Sequence, residues 1–232
     1  AMERLRKEGW DSTRPALSLI VRHWIYIGFI AQKVASNHSF AMEAHKNALN
    51  VINWGRQVWK DVPSNERGTI FDLSFRRGVW SMYIDTLMAA LSADKENMEL
   101  IENIFEEADA ILKDIKQNPY NSKDFNYLPD FGFYLSFYCN IEGSALACKG
   151  LCHHFLAEFG SDRSPKTIIS HYQSAIEMYT KAAGALPEDD ELHTWYLYCA
   201  YNFMEVTNTP ASIVMKTLER IRLSLPKMRR IW

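Results

Sequence analysis

Residues 171–187 read HYQSAIEMYTKAAGALP. Tyr172, Ala175, Tyr179 and Ala182 follow one another at intervals of three, four and three, and Pro187 comes five residues later. Intervals of three and four place side chains on one face of an α-helix. Two small residues on that face admit a second helix at close range, and the two aromatics fill the space beside it. Proline has no amide hydrogen to continue the ladder, so the helix stops before Pro187.

The pattern extends outward from there. The next stretch, ELHTWYLYCAYNFM, opens on Trp195 and has Cys199 and Ala200 as small residues one turn later. Near the N-terminus Trp24, Ile27, Gly28 and Ala31 form a similar phrase, followed by Ala41, His45 and Ala48. Gly78 and Trp80, then Ala108, Leu112 and Ile115, repeat it loosely, and Gly150 is a candidate close-contact glycine.

These phrases resemble the tetratricopeptide repeat. Residues 171–187 are similar to the second helix of that repeat, and the phrases around Trp24 and Trp195 are similar to its first helix. The resemblance is sharpest over Ile168–Asn202. The resemblance implies antiparallel helix hairpins stacked into a right-handed superhelix, with a concave groove lined by first helices. It further implies a non-catalytic interaction module, a scaffold or adaptor that takes a peptide or helical segment of another protein. Pro119, Pro187 and Pro226 close successive segments at separations of 68 and 39 residues, so the array is irregular.

Breakers divide the chain into about eight helices: Pro15–Ser36, Phe40–Asp61, Ser64–Ser92, Lys95–Lys116, Pro129–Glu158, Pro165 to before Pro187, Asp190–Val206, and Pro210 to before Pro226. Met98, Ile101, Ile104, Phe105, Ala108, Ile111, Leu112 and Ile115 make a single stripe of helical period, and no period-two alternation is sustained anywhere. Residues 118–129, NPYNSKDFNYLP, are the clearest loop. They read as the join between two halves of one solenoid, with a domain hinge as the alternative. The expected organisation is an extension over 1–14, one helical domain over 15–226 and a basic tail over 227–232. Ala1 before Met2 reads as a cloning remnant.

The 232 residues are 47% hydrophobic, 13% aromatic and carry a formal net charge of -2. A turn-rich β protein is excluded by so few glycines and prolines, and the charge implies no general attraction to nucleic acid or membrane. Cys139, Cys148, Cys152 and Cys199 sit in apolar helical stretches without a secreted framework, which points to a reducing, intracellular compartment, cytoplasmic or nuclear. No apolar run is long enough to span a bilayer, and no signal-peptide pattern opens the chain.

Groove candidates are residues off the core stripes of the first helices. They are Arg22, Tyr26 and Lys33; Arg76, Arg77 and Tyr83; Asn140 and Lys149; and Tyr198 and Asn202, of types that form interfaces. One branch of the repeat family grips chaperone C-terminal carboxylates with a lysine ahead of Gly-Asn. Here Phe29 follows Gly28 and Ile25 stands at the lysine position, so chaperone tails are not the expected partner. Nor is a cofactor expected.

Other constellations offer alternatives. Cys148, Cys152 and His153 would supply part of a zinc site to a helical metal-dependent enzyme, but a second ligand pair is missing and buried structural thiols fit better. The acidic run Glu188–Glu191 and His193 could serve magnesium chemistry, yet carboxylates at a helix start are ordinary capping groups. No phosphate loop, GxSxG or HExxH occurs. Lys216, Arg220, Arg222, Lys227, Arg229 and Arg230 make a basic C-terminal segment that would suit nucleic acid, or simply a solvated face.

Overall fold

In the computed structural model the described residues are 1–121 and 131–229, and all regular structure among them is helical. Helix α1 spans Met2–Lys33, α2 His38–Val58, α3 Ser64–Arg67, α4 Leu73–Ala93, α5 Met98–Gln117, α6 Phe131–Tyr134, α7 Asn140–Phe159, α8 Pro165–Gly184, α9 Glu191–Met204 and α10 Ala211–Met228. A 3₁₀ turn over Thr69–Phe71 precedes α4, and a π-wound turn over Leu135–Cys139 joins α6 to α7.

Several boundaries differ from expectation. Helix α1 begins at Met2, so Pro15 lies inside it and the supposed extension is helical. Its first part is polar and offered no apolar stripe to read. Gly9, at φ 73°, breaks the helical path, and Arg4 reaches across the break to Ser12 Oγ at 2.8 Å. The expected helix over 64–92 is split at Gly68, whose φ of 95° suits glycine and whose missing side chain leaves room for Arg14. Pro226 does not end α10, which runs on to Met228. A proline this near the end removes one hydrogen bond and crowds the carbonyl four residues back, with only two helical residues beyond it to be disturbed. The expected helix start at Pro129 lies outside the described residues.

Side-chain oxygens fix most of the remaining starts. Asn37, Asn97, Ser164 and Asp190 each accept a hydrogen bond from an amide in the first turn of α2, α5, α8 and α9. The acidic run before α9 therefore caps it through Asp190, while Glu188 pairs with Lys227 of α10.

The chain divides into two compact units, Ala1–Ala90 and Leu91–Trp232. The join expected at 118–129 falls inside the second unit, with 122–129 outside the described residues. In the first unit α1 and α2 are antiparallel: Trp10 meets Trp59 at one end, and Gly28 meets His45 at the other. Helix α4 runs against α2, with Arg76 donating to Asn53 Oδ1 at 2.7 Å and Thr86 lying 2.9 Å from His45 Nδ1. It runs alongside α1 in the same sense, since Arg22 lies over Phe75 and Lys33 acts on Asp85.

The second unit repeats this arrangement. Helices α5 and α7 are antiparallel, with Cys152 near the Ile101 carbonyl and Lys149 bonded to Asp109. Helix α8 packs antiparallel on α7, and α9 on α8, where Tyr172 stacks on Phe203 and His193 Nδ1 lies 2.7 Å from the Ala183 carbonyl. Helices α7 and α9 run in parallel, His154 meeting Phe203 at 4.9 Å. Ala175, Ala182, Tyr179, Leu197 and Ala200 form the heart of this core. The stripe read from residues 171–187 is buried as its spacing required.

Candidate functional site: two exposed helix faces

The ten candidate groove residues fall into three groups. Arg77 and Tyr83 are interior residues of the first unit, 1% and 4% exposed, so neither is offered to a partner. Both were assigned to a surface because they lie off an idealised stripe; α4 is covered more widely than a single stripe implies. Arg76 is half-buried and lies over the Trp80 ring at 4.3 Å while bonded to Asn53. Asn140 and Lys149 are also half-buried, and Lys149 is tied to α5 through Asp109 at 2.5 Å and the face of Phe105.

Arg22, Tyr26 and Lys33 are exposed and share one face of α1. At 100° per residue they lie close in projection to Leu19, Phe29 and Ile30, which are exposed large apolar residues. Tyr26 is 63% exposed and Leu19 71%. Arg22 bonds to Ser18 Oγ on the same helix, which holds its charge at the edge of the apolar row.

Tyr198 and Asn202 share an exposed face of α9 with Glu191, Trp195 and Glu205. The intervals of four, three, four and three make this a straight row. Trp195 is 56% and Tyr198 46% exposed, and their rings lie 5.8 Å apart. The tetratricopeptide resemblance places Trp195 at the tryptophan position of a first helix; its side chain lies at the surface. Tyr196, Leu197, Ala200 and Met204 occupy the opposite side and bury α9 instead. Their spacing was the available signal for where Trp195 would point. The row ends at a hollow of about 380 Å³ between the end of α9 and the start of α10, lined by Asn202, Glu205, Asn208 and Val214 among others.

The thiols weighed for zinc are part of the core. Cys148 and Cys152 are buried, and burial pushes the Cys152 thiol up to about 12. His153 Nδ1 lies 3.2 Å from His171 Nδ1 across α7 and α8. Burial, His171 and Lys149 together lower His153 to about 4. Among the described residues no group of three His, Cys, Asp or Glu side chains is set to hold a metal ion. In the basic C-terminal segment Arg222 pairs with Glu219 and Lys227 with Glu188, while Arg230 lies outside the described residues. No helix among the described residues is long and apolar enough to cross a membrane.

The described helices define a class: an all-α protein in which neighbouring helices within each unit pack as antiparallel pairs. No family model, no curated protein and no solved structure matches the chain.

Proposed function

We propose that the chain is a non-catalytic interaction module of tetratricopeptide-like type, a scaffold or adaptor that holds a peptide or helical segment of another protein. The observation that carries this is the row Trp195, Tyr198 and Asn202 on α9. Two adjoining aromatic rings stand exposed there beside an amide able to donate and accept. Exposed aromatics of this kind gain from being covered, and Trp and Tyr dominate the energetic centres of interfaces. The apolar face of α1 with Arg22 and Lys33 supports the same reading and suits a segment that carries carboxylates.

The test is capture of partners by the whole chain, compared with a Trp195→Ser/Tyr198→Ser variant of unchanged helicity. The proposal expects at least one protein to be retained by the parent and lost by the variant. Identical sets from both would contradict it.

A further inference from the structure

The second unit contains a hollow of about 700 Å³ between the end of α5, the π-wound turn and the end of α8. It is separate from the α9 row and from the faces of the proposed interaction module. Tyr120, Tyr134 and Tyr138 build one wall, with ring centroids 4.8, 5.2 and 6.0 Å apart. Ile115 and Leu146 supply apolar lining.

The wall stands on an irregular turn. The Asn140 amide donates to the Leu135 carbonyl, five residues back, where a regular α-helix would close on the residue four back. The Tyr134 hydroxyl interacts with Cys139, also five residues on. Tyr134, Tyr138 and Glu142, at intervals of four, line the same space. π-wound turns sacrifice regular bonding and are concentrated at functional sites.

Two charged side chains line the hollow, and they differ. Lys181 donates to Glu177 one turn back on α8 at 2.6 Å, so its charge is answered in place. Glu142 is half-buried, and among the described residues no cation pairs with it. Burial holds its carboxyl above the usual range. A partly desolvated carboxylate is costly unless something compensates it. Tyrosine rings attract cations by their faces, and rings combined with a carboxylate suit an ammonium group.

We propose that this hollow binds an organic ammonium ion, its charge held between the Glu142 carboxylate and the tyrosine wall and its apolar body lying against Ile115 and Leu146. A free amine and an alkylated lysine side chain present the same chemistry.

The test is an NMR titration of the whole isotope-labelled chain at pH 7.5 with choline, with its uncharged isostere 3,3-dimethylbutan-1-ol, and with a short peptide containing trimethyl-lysine. The ammonium probes should give saturable shifts centred on Tyr134, Tyr138 and Glu142. The uncharged isostere should bind at least about tenfold more weakly, because the ring faces and carboxylate act on charge. Glu142→Gln, checked for unchanged helicity, should weaken choline by about tenfold, a loss of the order expected for a charge-assisted contact. A peptide much tighter than choline would assign the site to a protein side chain, and equal affinities would assign it to a small amine. Isostere binding as tight as choline, or no saturable shift with either ammonium probe, would overturn the proposal. The isostere comparison decides the matter even if Glu142→Gln does not fold.

Discussion

Two helix seams, one in each unit, are closed by the same device and filled with different chemistry. In the second unit Gly150 of α7 faces Tyr179 of α8, where an added Cβ would lie 2.9 Å from the ring. In the first, Gly28 of α1 faces His45 of α2, where it would lie 2.6 Å away. Tyr179 is surrounded by the apolar cluster of Ala175, Ala182 and Leu197. His45 is fully buried and joins a polar chain instead: its Nδ1 lies 2.9 Å from Thr86 Oγ1, which donates to Gln32 Oε1 at 3.0 Å. A glycine opposite a ring fixes how closely two helices approach, whatever the ring is. The ring then decides whether the seam is held by dispersion or by hydrogen bonds.

The apolar seam should respond most to truncation. Tyr179→Ala should cost about 3–5 kcal/mol, the range for losing a large aromatic from a packed core, measured by urea unfolding. A loss below about 1 kcal/mol would mean that the site collapses freely and that the seam is not set by this ring.

Next comes the close approach itself. Gly28→Ala should destabilise by about 1–3 kcal/mol through overpacking, less whatever alanine gains in helix propensity. The double-mutant cycle with His45→Ala should be non-additive, because removing the ring removes the clash. Additive costs would show that the glycine serves some other purpose.

Acid should separate buried histidines from exposed ones. Burial lowers His45, and it lowers His153 to about 4 from an ordinary 6.5. The unfolded chain takes up a proton near pH 6.5 while the folded His153 refuses it until about pH 4. Stability is therefore fully present above pH 6.5 and declines as pH falls toward 4. Thermal midpoints across that window should show the decline, with part of its slope removed by His153→Gln. An unchanged slope in the variant would place the acid sensitivity elsewhere.

The smallest expected change in stability is on the α9 row. Trp195→Ser should alter folding stability by no more than about 0.5 kcal/mol, since the side chain is exposed. A large loss would show that Trp195 packs against the fold and is not free for a partner.

Much of this was legible in the residues. The all-helical class, the buried stripe of 171–187, the capping role of the run before α9 and the loop at 118–121 follow from spacing and breakers alone. Helix α1 was misread at its start because Glu3, Arg4, Lys7 and Glu8 satisfy one another along the helix and leave no apolar period. The break at Gly68 had a local signal, a glycine between Asn65 and the β-branched pair Thr69 and Ile70, which the apolar run from Phe71 onward outweighed in the expected helix. Tyr26, Tyr198 and Asn202 were placed on surfaces correctly by being off their stripes. Arg77 and Tyr83 were not, because a central helix is covered on more sides than one stripe describes. The tyrosine wall had a partial signal, since Tyr134, Tyr138 and Glu142 follow at intervals of four, but the spacing does not tell which elements close the hollow around them.

The most direct test of the interaction reading is site-specific photocrosslinking in the native cellular extract. A benzoylphenylalanine replaces Tyr198 in one preparation and the exposed Glu219 of α10 in another. A discrete adduct with another protein from position 198, absent at 219 and lost when Trp195 is changed to serine, is the predicted result. No adduct at 198, or the same adducts from both positions, would contradict it.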